Sequence, residues 1–331
     1  MTTTNHPAAS EPAAEDRARL HDVLAGLATE QVADGLADFD LRSTEAQLAT
    51  MVDESAVAVE AVRDATPQIA AAVDAIVARL RAGGRLVYLG AGTAGRLGVL
   101  DASEIPPTFG TDPSLVVGLI AGGETAIRHA VENAEDDAEQ GAADVAAIGI
   151  GPLDALVGIS ASGRTPYVLG ALAHARAAGA LTVALASNRG SEIGAAADLA
   201  IETAVGPEVV AGSTRLKAGT AQKLVLNAIS TLAMVHLGKV HGNLMVDVRA
   251  TNAKLRARAE RIVMAATGCE SAEAAAALAS TGGAVKPAIL VTLTGVDAEV
   301  AVRALDREDG VLRGALERLA SADRPEESHV P

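Results

Sequence analysis

The sequence predicts an α/β fold: a doubly wound parallel sheet flanked by helices, followed by a small C-terminal helical domain. Three observations carry this. Short apolar runs alternate with helix-length segments through the middle of the chain. Glycine- and hydroxyl-rich loops follow two of those runs. After about Ser213 the strand-like runs stop and only helical patterns remain. A β-α-β-α rhythm of this kind requires a parallel sheet with helices on both faces.

The strand candidates are Arg85–Leu89, Ser114–Ile120, Ala155–Ile159, Leu181–Ala186 and Leu199–Glu202. Each is short and rich in Val, Leu and Ile, as a strand buried on both faces should be. Between them, "TAIRHAVENAEDDAEQGAADVA" and "TPYVLGALAHARAAG" have helical length. Upstream, Ser43 is placed to cap a helix, and Pro67 sits in the first turn of the next one. Downstream, "STRLKAGTAQKLVLNAISTLAMVHLGKV" reads as one long helix with a largely apolar face, with Ser213 as its possible cap. The expected organisation is a disordered tail over 1–16, helices over 17–80, a phosphate-binding sheet domain over 81–245 and a helical region over 246–331.

Composition narrows the function. Hydrophobic residues make up 49% of the 331, enough for a substantial core. The net charge of -15, with no Trp, two Phe and two Tyr, argues against nucleic acid and against anionic membranes as partners. Cys269 is the only cysteine, so no intrachain disulfide can form, which suits a reducing cytoplasm. No secretory leader pattern and no membrane-length apolar run is read in the sequence. The seven histidines are scattered and form no ligand pair, so no metal is expected.

Two loops are candidates for chemistry. "RLVYLGAGTAG" runs from a strand into G-x-G-x-x-G, with Gly90, Gly92 and Gly95. That spacing can hold a dinucleotide pyrophosphate at a helix N-terminus. The dinucleotide reading also needs an acidic residue ending a second strand, and Asp112 instead lies in the turn-like "GTDPS". "ISASGRTPY" is a second loop, with Ser160, Ser162, Gly163 and Thr165 ahead of Pro166. Hydroxyls plus helix N-terminal amides suit a phosphate monoester. Such residues can also merely cap a helix.

Carboxylates follow both strands. Asp101 and Glu104 precede Pro106–Pro107, which should stop the helix. Glu124 follows a strand and two glycines. A glutamate at a helix start often only complements the dipole, yet two crevice carboxylates can serve as acid and base. Lys217 lies near the start of a helix, an unfavourable place for a cation, and so leans towards an anionic partner.

Together, "GAGTAGRLGVLDASEIPPTFG", "AGGETAIRHAVENAEDD", "SASGRTPYVLGAL", "GSTRLKAGTAQKLVLNAIST" and "GNLMVDVRATNAKLRARAERIV" closely resemble the N-acetylmuramic acid 6-phosphate etherase family of the sugar isomerase (SIS) superfamily. The resemblance runs from about residue 43 to about 320. It implies a SIS-type sheet, a phosphosugar substrate, a homodimer and no cofactor. It implies cleavage of a lactyl ether by elimination and water addition. Residue by residue, it puts proton donation on Glu104 and C2 proton abstraction on Glu124. It puts the phosphate on Ser160, Ser162, Gly163 and Thr165, and the sugar on Thr93, Gly95 and Arg96. It makes Lys217 a candidate for the sugar or the lactyl carboxylate. The chain departs from the family pattern at Ala94, where serine is usual, and at His241, where tyrosine is commoner. Its "TEQVADGLADFD" from Thr29 lacks the usual Arg and Asn of the N-terminal block. A non-catalytic phosphosugar regulator is the alternative, and an aldose–ketose isomerase or a dinucleotide dehydrogenase fits these blocks less well.

Overall fold

A computed structural model describes residues 25–247 and 253–322. The expected tail over 1–16 lies outside the described residues.

Five parallel strands form the central sheet: β1 (Leu86–Gly90), β2 (Val116–Ile120), β3 (Ala155–Ser160), β4 (Leu181–Ala186) and β5 (Leu199–Glu202). Their order is β2-β1-β3-β4-β5. β1 lies between β2 and β3, with Gly90 opposite both Ile120 and Ile159. All five match the sequence-predicted strands to within two residues. Every residue of β1, β3 and β4 is buried, because helices cover both faces.

The period-two alternation of a strand sorts its side chains between those faces. Leu86, Tyr88, Val157, Ile159, Val183 and Leu185 point to one side. There they meet Ile69, Val73 and Ile76 of α2 (Thr66–Arg81), Ile105 and Phe109 of α3 (Gly92–Phe109), and Val225 and Ile229 of α8 (Lys217–His236). The preceding helix, α1 (Thr44–Asp64), packs on α8; Ser43 caps it, accepting from Ala46 N at 3.3 Å. Val87, Leu89, Leu156 and Ala184 point to the other side. That side is covered by α5 (Ala138–Ala147), α6 (Pro166–Ala177) and α7 (Glu192–Ala196).

Helices α5 and α6 approach so closely that each needs a glycine at the contact. A Cβ on Gly141 would stand 1.9 Å from the Tyr167 carbonyl oxygen, and one on Gly170 would stand 1.9 Å from that of Ala138.

Four local expectations are corrected. The stretch from Thr125 to Ala146 is not one helix. It divides into α4 (Gly123–Arg128), a 3₁₀ turn over Ala134–Asp136 and α5. Asn133 takes a left-handed conformation (φ 62), and the Asp137 carboxylate caps α5 by accepting from Gln140 N at 2.8 Å. Local capping and turn formation by Asn and Asp thus override helical periodicity. The Pro106–Pro107 pair does not stop α3. The helix runs through both, held by buried Ile105 and Phe109, and ends at Gly110 (φ 65), whose N–H reaches the Pro106 carbonyl at 2.9 Å.

Ser213 does not cap α8, which begins at Lys217. Its first amides are satisfied from a distance: the buried Glu208 carboxylate accepts from Lys217 N at 3.1 Å and Ala218 N at 2.9 Å. A carboxylate there also complements the helix dipole. Strands do not end at β5, because Val240–His241 (β6) and Leu244–Met245 (β7) form a small antiparallel hairpin.

Beyond it, α9 (Ala253–Thr267), α10 (Ser271–Ser280), α11 (Val285–Thr294), α12 (Ala298–Asp306) and α13 (Leu312–Ala322) enclose a second core around Val263, Ile289, Leu290 and Leu312. Asp247 links it to the hairpin, pairing with Lys239 at 2.6 Å and with the buried Lys286 at 3.0 Å. Among the described residues no single helix is long and apolar enough to cross a membrane.

The glycine contact between α5 and α6 yields a stability prediction. Gly141→Ala forces its Cβ onto backbone, which cannot rotate away, so it should destabilise the protein by about 1–3 kcal/mol. Chemical denaturation checks this; an unchanged midpoint would refute the close approach.

Candidate active site

The connections leave β1 towards β2 and β3 towards β4, so the direction of winding reverses between β1 and β3. In open α/β sheets the ligand crevice lies at that reversal, beyond the C-terminal ends of the strands. A cavity of about 580 Å³ opens there. Two of its walls are the loops singled out in the sequence: Ala91–Ala94 after β1, and Ser160–Ser162 with Arg164–Pro166 after β3. The helices that follow, α3 and α6, begin without a side-chain cap. The positive ends of their dipoles therefore favour an anion in the cavity.

The β3 loop is a pre-formed cradle. Ser160 Oγ accepts from Gly163 N at 3.0 Å and shares hydrogen bonds with Thr165 Oγ1 at 2.7 Å and Ser162 Oγ at 3.2 Å. Gly163 holds φ 76, and a Cβ there would meet the Ser191 side chain at 2.4 Å. Only glycine fits both the left-handed backbone and the contact. The buried Asn188 braces the loop from beneath, donating Nδ2 to the Ala161 carbonyl at 3.0 Å. The same amide donates to Thr29 Oγ1 at 3.0 Å, and its Oδ1 accepts from Thr29 N at 3.4 Å. Asn188 therefore fastens the N-terminal segment to the loop, and Glu30 comes to line the cavity.

Of the residues expected to bind ligand, Thr93, Ser160, Ser162 and Thr165 line the cavity together. Gly163 shapes the loop without lining it. Gly95 lies against β1, where a Cβ would stand 2.5 Å from the Gly90 carbonyl oxygen. Arg96 turns away and donates Nε to the Ile127 carbonyl at 3.1 Å. Lys217 faces a neighbouring cleft lined by Met51, Glu54 and Glu208, and its buried ammonium is paired with Glu54. The anionic partner expected for Lys217 is thus a carboxylate of the chain itself. Ala94 lines the cavity, so the hydroxyl replaced there is missing from the ligand-facing wall. Asp112 accepts from Ser114 N at 2.8 Å in a tight turn, as its sequence context suggested.

The carboxylates are arranged differently from expectation. Glu104 and Glu124 are exposed and neither lines the cavity of its own chain. Glu104 stands eleven residues beyond Thr93, about 16 Å along α3 at the helical rise. Asp101 is buried between α3 and α8, where its Oδ1 accepts from Asn227 Nδ2 at 2.6 Å and Ser230 Oγ at 3.2 Å. The carboxylates lining the cavity are Glu30, Glu135 and Asp136. Desolvation, with the charges of Asp136 and Glu132, holds Glu135 above the usual glutamate range. A carboxylate with a raised pKa is a stronger base once ionised, the property a proton-abstracting group needs.

Sequence reasoning missed Glu30, Glu135, Arg164 and Gln222, all of which line the cavity. The signal for Glu135 lay in "ENAEDD", where an Asn followed by four residues that include three acids marks a turn and a cap.

Comparison with known proteins agrees with this geometry. The glucokinase regulatory protein N-terminal SIS domain matches residues 68–176, and the SIS domain matches residues 133–232. Over 297 residues the chain is 58% identical to the N-acetylmuramic acid 6-phosphate etherase of Streptomyces avermitilis, covering 90% of this chain and 96% of that one. It is 57% identical to the protein of the same name from Rubrobacter xylanophilus, covering 90% of this chain and 98% of that one. With the Deinococcus radiodurans protein of that name, identity is 54% over 87% of this chain and 94% of that one. A parallel SIS-type sheet, a hydroxyl cradle at its switch point and this near full-length identity place the chain in the N-acetylmuramic acid 6-phosphate etherase family.

Proposed function

We infer that the chain is a carbon–oxygen lyase that cleaves the D-lactyl ether of N-acetylmuramic acid 6-phosphate. The products are N-acetylglucosamine 6-phosphate and D-lactate. One observation carries the reading: a hydroxyl cradle suited to a phosphate monoester faces a lip of carboxylates across one cavity, in a chain more than half identical to etherases along nearly their whole length.

The chemistry follows from the substrate. Ring opening exposes an aldehyde at C1, which acidifies the C2 proton. A base takes that proton, the C2–H electron pair forms the C2–C3 double bond, and the C3–O bond breaks as lactate leaves, its oxygen taking a proton from a carboxylic acid, the role the resemblance gives to Glu104. Water then adds its hydroxyl to C3 and its remaining proton restores the acid, while the base returns the abstracted proton to C2. The sum is ether plus water giving alcohol plus lactate, with no change of oxidation state. Ser160, Ser162, Thr165 and the Gly163 loop hold the phosphate, and Thr93 faces the sugar. Glu135, which lines the cavity as Glu124 does not, is the carboxylate we assign to the C2 proton.

Glu104 has a different route to the chemistry. In the homodimer expected from the resemblance, its exposed position on α3 lets it serve the cavity of a second copy. The single cysteine and net charge of -15 fit a cytoplasmic enzyme that meets neither nucleic acid nor membrane.

Incubation with N-acetylmuramic acid 6-phosphate in ¹⁸O water tests the reaction. Lactate should be released unlabelled, with ¹⁸O at C3 of the sugar; absence of lactate sinks the lyase reading.

Glu135→Gln should lower lactate release by at least about a hundredfold, as loss of a general base does. It should also stop solvent deuterium exchange at C2. Because the base works ionised and its pKa is raised, wild-type kcat/KM should fall as pH drops through a value above the ordinary glutamate range. Full turnover in Glu135→Gln excludes it as the base.

Mixed dimers test Glu104. Glu104→Gln and Glu135→Gln should each be inactive alone, and reassembled together they should regain roughly a quarter of wild-type activity, since one site of each mixed dimer is intact. No recovery would rule out action across an interface.

A further inference from the structure

Gln222 lies in the second turn of α8 and is 1% exposed, yet it lines the cavity. Its Nε2 is buried and has no hydrogen-bond partner among the described residues. A buried amide left unpaired is costly, and native structures keep such groups only where something else satisfies them. Four other buried polar atoms among the described residues share this condition, on Asp101, Thr111, Arg164 and Ser187. Of these residues only Arg164 also lines the cavity, and its guanidinium has a partner, with Nε 3.7 Å from Glu192. Gln222 is therefore the buried, uncharged donor that the cavity leaves open.

Its position says which part of a ligand it meets. The start of α8 packs against the start of α3: a Cβ on Gly219 would stand 3.4 Å from Thr93 Cγ2. Gln222 is one turn further along, so it belongs to the wall built on β1. The phosphate cradle belongs to the wall built on β3. The nearby polar groups on the first wall, Thr93 and Thr214, are uncharged. A neutral donor among hydroxyls matches the neutral oxygens of a sugar; a phosphate dianion is better held by helix amides and a hydroxyl cluster.

We propose that Gln222 is a specificity-determining residue, donating its amide to an oxygen of the sugar portion of a bound hexose 6-phosphate. The proposal rests on reading the cavity as a phosphosugar site. A polar group that only the sugar satisfies makes the cavity prefer a phosphosugar to free phosphate, because phosphate alone leaves the amide unpaired.

The test uses the full chain with Gln222→Leu, and Gln222→Met as the more flexible replacement should leucine fail to fold. Calorimetric titration with N-acetylglucosamine 6-phosphate and with inorganic phosphate reads affinity, and thermal unfolding without ligand reads stability. The sugar phosphate should bind at least about tenfold more weakly, the cost of one lost buried hydrogen bond. Inorganic phosphate should bind within about twofold of wild type, since the cradle is untouched. The ligand-free Tm should not fall, since Nε2 makes no hydrogen bond among the described residues. Unchanged affinity for the sugar phosphate, or equal loss for both probes, overturns the proposal. So does a lowered Tm, which would make Gln222 a packing residue. A wild-type protein that binds the sugar phosphate yet releases no lactate refutes the lyase reading and leaves this test intact.

Discussion

The pairing of β1 with β3 is the constraint on which the rest of the molecule depends. Gly90 stands opposite Ile159, and this register brings the two strand ends to one level. The chain winds outward in opposite directions from them, so neither crossover runs across the space between the two loops. Two uncapped helix starts then face the same volume. A single residue of slip would move Ser160 away from the level of the glycine loop and exchange the two faces of each strand. The division of Leu86 and Tyr88 from Val87 and Leu89 between separate cores resists such a slip.

Much of this is legible in the sequence. Strands buried on both faces read as continuous apolar runs, so all five are found close to their observed bounds. The cradle is equally plain, because hydroxyls, a glycine and a first-turn proline occur together within seven residues, Ser160–Pro166. What cannot be read is decided at long range. Glu208 caps α8 across nine residues of turn, and no periodicity announces it. Glu30 reaches the cavity because Thr29 bonds to Asn188, 159 residues away. Glu135 is hidden for another reason: its segment has helical composition, and the break comes from Asn133 and Asp137 acting on the backbone.

The same distinction explains the site residues. Residues in the loops themselves, Thr93, Ser160, Ser162 and Thr165, are where local sequence puts them. Lys217 is not, because its charge is already matched by Glu54 on α1. Buried charges are paired wherever the fold allows, since an unpaired one is expensive. Glu104 shows the converse. It lies on a helix that starts at the cavity and leads away from it, so proximity in sequence to the glycine loop does not become proximity in space.

The Asn188 bridge has one more consequence. A single amide side chain holds both the floor of the hydroxyl cradle and the segment that carries Glu30. A displacement of the Ala161 carbonyl would therefore reach Thr29 through one side chain. The segment around Thr29 is a short 3₁₀ turn, and Thr29 is its one buried residue. It can be released without opening the sheet, as marginally held segments are. The place of Glu30 at the cavity is thus set by the same side chain that braces the loop after β3.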